Sequence, residues 1–416
     1  MKRYLKGCER LGLSTGIVLT SLFLMSPAMA ETTESLQESE VDPDLAAAIE
    51  ADQKDAQKDQ PAPRGVAGST GTMSSNSMNP DISFIMTVGA GGYINGNILN
   101  QGGHNINDNG FILQGLEFGA SGSVDPFFRY DMKFELAHLH LEEVVLSTLA
   151  LPLNMQMRAG LMFARFGRQN ELCLHTWSYV NAPLSHSRFL SEEHFKGTGV
   201  EWSVLLPTPW YSMVLVEMMS TDTISDFNSS TFGTSDKNLS GKTDSFDDLM
   251  YLGRLENFFE LSNAWSLLIG NSAAFGQSGY GDNRATLFGS DLTLKWTGGE
   301  TFVKWTTEGL LRQTQIPLAS AEDWGGYSQV DLQITRRWMM GVRGDYADML
   351  SGPESATDLF GGQEARGSLA LTFFPTHFSK IRLQGDVLSA EGVDSLSYGG
   401  FLQVEVIAGA HAPHSF

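Results

Sequence analysis

Three histidines fall in one polar stretch of this chain: His175, His186 and His194 lie within residues 166–196, with Glu192 and Glu193 beside the last. Imidazole nitrogens and carboxylate oxygens could together hold zinc or a similar ion. His138 and His140 sit near a second polar segment, and His411 and His414 close the chain. No cluster carries the full ligand set of a dedicated site, and Cys173 offers a single thiol. Ser185-His186-Ser187 pairs hydroxyls with an imidazole, but a triad is assembled in space, and no nucleophile motif is present. The sequence thus names no catalytic residue and calls for no cofactor.

Charged residues also recur at every second position. The basic ones are Arg129, Lys133, Arg158, Arg254, Lys295, Lys304, Arg312, Arg343 and Arg382. The acidic ones are Glu117, Asp131, Glu135, Glu256, Asp291, Glu308, Asp331, Asp345, Asp386 and Glu405. Nine against ten is a balanced set, which would give a water-filled lumen a transverse field rather than a strong ion filter. Part of the set would serve only to pair across neighbouring strands and stiffen the wall. In and just before residues 166–196, Arg165, Arg168, Glu171, Arg188, Glu192 and Glu193 could face one another across a narrowing.

The element that must present these charges is a strand with two unlike faces. From Phe127 onward, Phe128, Tyr130, Met132, Phe134 and Leu136 point one way, while Arg129, Asp131, Lys133 and Glu135 point the other. The same split recurs at Leu292, Leu294 and Trp296, at Ile381, Leu383 and Val387, and at Leu402, Val404 and Val406. Bulky apolar residues on one face and charge on the other suit lipid outside and water inside. No apolar stretch after the leader reaches the roughly 20 residues of a membrane helix.

Connections give a second signal. Seven are short and turn-like, at residues 124–126, 151–154, 207–209, 261–263, 297–299, 335–337 and 375–377. Eight polar segments alternate with them, at 90–109, 138–142, 166–196, 220–245, 277–283, 313–323, 350–362 and 391–394. That alternation predicts an all-β fold, a transmembrane antiparallel β-barrel of 16 strands, with both termini on the short-turn side.

The chain starts with Lys2, Arg3, Lys6 and Arg10, an apolar run from Leu11 to Met25, and Ala28-Met29-Ala30, which reads as a signal peptide over residues 1–30. Residues 31–80 are acidic and poor in large apolar groups, so they read as a periplasmic tail, with a short helix over 44–58. The barrel then occupies 81–416, and the terminal Phe416 fits the mark read by barrel-assembly machinery. Only about 50 residues lie between leader and first strand, too few for a plug domain. Without the leader the chain holds 23 basic and 47 acidic residues, a net charge of −24, which argues against nucleic acid as a partner. With Cys8 removed in the leader, Cys173 has no disulfide partner.

Several stretches carry a resemblance. They are Gly115-Leu116-Glu117-Phe118-Gly119-Ala120-Ser121-Gly122, the strand after it, and Arg158-Ala159-Gly160 with Phe163-Ala164-Arg165-Phe166-Gly167-Arg168. Together they resemble the phosphate-selective porin superfamily, in which a similar Phe-Gly-Arg motif leads into the pore-narrowing loop. The stretches from His175-Thr176-Trp177 to Arg188-Phe189-Leu190 and Glu192-Glu193, with the tail His411 to Phe416, resemble a subgroup labelled metal-regulated outer-membrane proteins. The resemblance implies a porin-like passive channel in a Gram-negative outer membrane, a homotrimer surrounded by lipid and lipopolysaccharide, passing small hydrophilic solutes. The basic ladders of the phosphate-specific members are missing, so their selectivity is not carried over. The alternatives are a zinc or metal-chelate uptake channel using the loop histidines, and a non-conducting structural barrel or outer-membrane enzyme.

Overall fold

The computed structural model describes residues 80–96, 99, 102, 104–137, 139–190, 194–220, 245–277, 283–316, 319–353 and 362–409. The leader, the acidic tail with its expected helix, His138, Glu192, Glu193, His411, His414 and Phe416 lie outside them.

Sixteen strands follow in chain order. They are β1 (Asp81–Ile94), β2 (Gly110–Ser123), β3 (Phe128–Glu135), β4 (His140–Thr148), β5 (Met155–Phe163), β6 (Lys196–Leu205), β7 (Tyr211–Ser220) and β8 (Met250–Glu260). The second half comprises β9 (Trp265–Gln277), β10 (Arg284–Gly298), β11 (Thr301–Ile316), β12 (Ala319–Thr335), β13 (Trp338–Ser351), β14 (Glu364–Thr376), β15 (Ser379–Ala390) and β16 (Ser397–Gly409). Each pairs antiparallel with its neighbours in sequence, and β1 pairs with β16 from Ser83↔Gly409 to Ile94↔Tyr398, so the barrel is closed. Closure matters because an open edge would leave a row of unpaired backbone groups.

Alternation decides which face each residue takes. In β15, Lys380, Arg382, Gln384 and Asp386 are buried inside, while Ile381, Leu383 and Val387 are exposed outside. In β14, Arg366, Ser368, Ala370 and Thr372 point in, and Leu369 and Leu371 point out. A continuous apolar exterior of this kind belongs in hydrocarbon rather than in water. Trp210, Trp265 and Trp338 stand close to the short turns, and Trp324 and Tyr346 near the other rim, with ring centres 5.2 Å apart. Two such aromatic belts bound the apolar band as they do in membrane barrels.

Each of the seven expected short turns falls at a junction of consecutive strands, although residues 297–298, 335 and 375–376 still belong to β10, β12 and β14. The expected loop over 313–323 differs: β11 runs on to Ile316 and β12 resumes at Ala319. Polar residues there pair across the strands, as in the Gln313 Nε2–Glu322 Oε1 hydrogen bond of 3.1 Å, and carry the hairpin past the apolar band. For the same reason β1 continues to Ile94, beyond the loop start expected at Ala90.

Leu383, 56% exposed, lies opposite Leu371 and Leu402 at the middle of the band. Leu383→Arg should therefore cost roughly 2–4 kcal/mol in urea unfolding from phospholipid bilayers, a charge at the bilayer midplane. The same change at Leu153, on a short turn, should leave the midpoint near that of the wild type.

Candidate pore constriction

The described residues between Phe163 and Lys196 make no strand. They leave β5, enter the barrel and return to β6, with a short 3-10 turn at Leu174–Thr176 and a six-residue helix, α1, at Leu184–Phe189. The neck is tied by Asn170, whose amide donates to Ala164 O at 2.7 Å and Phe195 O at 2.8 Å and accepts from Phe195 N at 2.8 Å. Gly167, at φ +65°, approaches the wall so closely that a Cβ would sit 1.7 Å from Glu308 Oε1. Only glycine fits there. Its N–H donates to Ser272 Oγ at 3.1 Å, and the Arg168 and Gln169 N–H groups donate to Glu308 at 3.3 and 3.2 Å.

An irregular backbone inside a barrel lacks the partners that a strand finds in its neighbours, and burying its polar groups unpaired would be costly. The wall supplies them. Wall acceptors take the segment's donors: Ser178 Oγ reaches Asp331 at 2.9 Å, Val180 N reaches Gln384 at 2.7 Å, and Leu184 N reaches Asp345 at 3.1 Å. Wall arginines take its carbonyls. Arg382 donates to Trp177 O at 2.7 Å and Tyr179 O at 3.0 Å, Arg343 to Asn181 O at 2.9 Å, and Arg312 to Arg188 O at 3.1 Å. Arg366 donates to Ala182 O. Hydrogen bonds to charged groups contribute about 1.5–3 kcal/mol each, so this row holds the segment firmly.

Among the described residues, cavities lie beside the segment. One, of about 260 Å³, is lined by Lys133, Glu143, Ser147, Gln156, Arg158, Phe163, Arg165 and Glu171. Another, of about 150 Å³ and on the β10–β13 side, includes Arg168, Thr293, Lys304, Thr306, Gln329 and Arg343 in its lining. In the first, Arg158 pairs with Glu201 at 2.9 Å and Lys133 with Glu143 at 2.5 Å, while Arg165 lies 3.3 Å from Glu201 and 3.6 Å from Glu171. Burial alone would raise the Glu171 carboxyl, but Arg165, with Arg254 and Arg168 behind it, holds it below the usual carboxylate range.

The residues singled out from sequence take different places. Arg165, Glu171, Lys133 and Arg158 share the first cavity, and Arg168, Lys304 and Arg343 the second. Arg188 lies instead under the far end of the segment, paired with Asp323 at 3.3 Å and Glu364 at 3.7 Å. Arg254, Arg312 and Arg382 are sealed in the wall: Arg254 binds Asp291 at 2.6 Å, Arg312 binds Asp323 at 2.7 Å and Arg382 donates to Gln403 at 2.6 Å. Glu135 accepts the backbone N–H groups of Leu116 and Ala137, both at 2.8 Å, and Arg129 pairs with the partly exposed Asp131 at 3.2 Å. His175 stands 3.4 Å from Glu117, near Cys173, whereas His186 and His194 lie together with ring centres 5.4 Å apart. Burial pushes the Cys173 thiol up, keeping it protonated.

Sequence reasoning missed Glu142, Glu143, Glu201, Glu217, Asp323, Arg366 and Lys380, all inward and buried. For Glu142 and Glu143 the reason is a bulge: Lys133 pairs with Glu143 and Phe134 with Leu141, so two adjacent glutamates face inward. A similar shift in β2 leaves Gln114 between Leu113 and Gly115, and its amide donates to Val180 O at 3.1 Å. Adjacent charged residues in an otherwise alternating strand were the available signal.

No family model matches the chain. An uncharacterized protein of Aquifex aeolicus is 28% identical over 352 residues, covering 76% of this chain and 73% of that protein. Among solved structures, the outer membrane channel DcaP of Acinetobacter baumannii superposes with TM-score 0.54 at 9% identity, covering 82% of this chain and 100% of that one. The anion-selective porin of Comamonas acidovorans gives 0.53 at 7% identity, covering 79% and 99%. OmpT of Vibrio cholerae, an outer membrane protein also solved in a trimer form, gives 0.53 at 8% identity, covering 81% and 99%. At such identities the likeness is one of fold: this barrel is porin-like.

Asp345 accepts from Arg343 at 3.0 Å, Arg366 at 3.2 Å and Leu184 N at 3.1 Å. Asp345→Ala should destabilise the barrel by about 3–5 kcal/mol in chemical unfolding, because it strands two buried guanidinium groups. Arg129→Ala, which breaks a solvent-screened pair, should change it by less than about 1 kcal/mol.

Proposed function

We propose that the chain is an outer-membrane channel that passes small hydrophilic solutes, anions favoured, through the lumen beside the inserted segment. One observation carries the reading. Several wall carboxylates are closed off from the lumen, while four basic side chains beside the segment stay partly open to it. Side chains of Lys133, Arg158, Arg165 and Lys304 are 20–30% exposed, whereas those of Asp291, Asp331, Asp345 and Glu201 are fully buried. Glu171, Glu256, Glu117 and Glu143, at 24%, 16%, 12% and 10%, offset part of that excess. A narrow, low-dielectric passage magnifies such an imbalance, so a net cationic lining selects against cations even in an acidic protein.

Solute size is set by the inserted segment, and its wall contacts keep the opening fixed. The leader-like start, the apolar band and the aromatic belts support placement in an outer membrane, with the short turns toward the periplasm. The trimer form of the fold-neighbour OmpT favours a homotrimer here. Water entering the two cavities would hydrate the solute while the paired charges guide it.

Single-channel recording of the purified protein in a planar bilayer under a salt gradient tests the reading. The expected result is discrete steps with a reversal potential on the anion-selective side. Arg168→Glu combined with Lys304→Glu should move that potential toward cations without abolishing the steps. A folded, heat-modifiable barrel that gives no steps, or a cation-selective wild type, would overturn the proposal.

A further inference from the structure

Cys173 and His175 stand two residues apart on the inserted segment, one just before its 3-10 turn and one within it. The turn and the wall hold both in place. The Thr176 N–H and hydroxyl donate to Cys173 O at 2.9 and 2.8 Å, and Lys380 of β15 donates to His175 O. Gly115 lets the turn lie close against β2, since a Cβ there would sit 2.9 Å from Leu174 Cδ2. Two residues further along β2, Glu117 faces the same way and meets both side chains.

The Cys173 sulfur, an imidazole nitrogen of His175 and a carboxylate oxygen of Glu117 all lie within 4.8 Å of one another. Among the described residues, no other three Cys, His, Asp or Glu side chains bring their ligand atoms so close. His175 Nδ1 and Glu117 Oε2 are 3.4 Å apart. Two ligands held about 2.0–2.3 Å from a tetrahedral zinc ion stand roughly 3.4–3.6 Å apart, so that edge already has ligand spacing. Cys173 and His175 are buried, and the Glu117 side chain is 12% exposed.

We propose that Glu117, Cys173 and His175 bind one divalent transition-metal ion of zinc-like preference, which clips the inserted segment to β2. Sulfur and imidazole nitrogen set that preference, because calcium and magnesium take oxygen ligands. Three protein ligands leave a further position for water or a solute group. The ion displaces the thiol proton to solvent, as metals do on binding cysteine. Lys133 donates to the Cys173 sulfur at 3.2 Å and is itself paired with Glu143. A metal-bound thiolate keeps lone pairs for such a donor, which then acts as outer support, while Glu143 balances its charge. Glu117, Glu142 and Glu143 all act on the thiol, so carboxylates outnumber the ammonium around it.

Cobalt and zinc titrations of the untagged, chelator-stripped, refolded protein in detergent test this site without reference to conductance. One cobalt ion per chain is expected, with ligand-field bands and a thiolate charge-transfer band. Cys173→Ser should remove the thiolate band while the barrel stays folded and heat-modifiable. By calorimetry, zinc affinity should fall more than about tenfold in Cys173→Ser, in His175→Ala and in Glu117→Gln, since loss of a supporting group alone costs that much. His186→Ala, elsewhere on the segment, should bind as the wild type does. A folded wild type that takes up no ion, a cobalt spectrum without the thiolate band, or unchanged affinity in all three ligand variants would overturn the proposal.

Discussion

The structure depends on one constraint: a segment without regular secondary structure inside a β-barrel must find partners for its backbone in the barrel wall. Strands satisfy one another, but the described residues between Phe163 and Lys196 have only a short 3-10 turn and one six-residue helix of their own. Arginines on β11, β13, β14 and β15 therefore reach in for carbonyls, and Asp331, Asp345, Gln384 and Glu308 accept from the segment's donors. Buried charges by themselves are poor stabilisers, since desolvation offsets their attraction. Here each is also a hydrogen-bonding group for a backbone that has no other, and this fixes one path for the segment.

That arrangement links fold to permeation. Charges that seat the segment, such as Arg382 and Asp345, are withdrawn from the lumen. The sorting is uneven: Glu201, Asp291, Asp331 and Asp345 are fully buried, while Lys133, Arg158, Arg165 and Lys304 keep contact with solvent. In the proposed channel, selectivity would follow from which charges stay open, and a chain of net charge −21 could still present a cationic passage.

Strand number and facing were legible because they rest on period two and on turn chemistry, both local in sequence. Leu383 against Arg382, or Met132 against Lys133, needs no tertiary knowledge to be sorted. What the wall charges do was not legible, because Arg382 or Asp345 alternates identically whether it lines open water or grips Tyr179 O or Leu184 N. The bulge residues Gln114 and Glu142 break the period, and their roles depend on contacts across the lumen. Cys173 and His175 were visible as residues of one loop, but Glu117, which meets them, comes from β2. The end of β11 was misplaced because polar residues there read as loop while the strands continue beyond the apolar band.

The most direct test of the central claim is whether the segment stays seated while the channel conducts. Asn181 Nδ2 lies 2.7 Å from Asp386 Oδ2, so Asn181→Cys and Asp386→Cys, in a Cys173→Ser background, place two thiols across that contact. A short bifunctional thiol reagent should join them in nearly every molecule, and the cross-linked channel should show the same single-channel conductance as the uncross-linked one. Failure to cross-link a folded barrel, or a conductance that collapses once the link is made, would contradict a segment fixed to the wall.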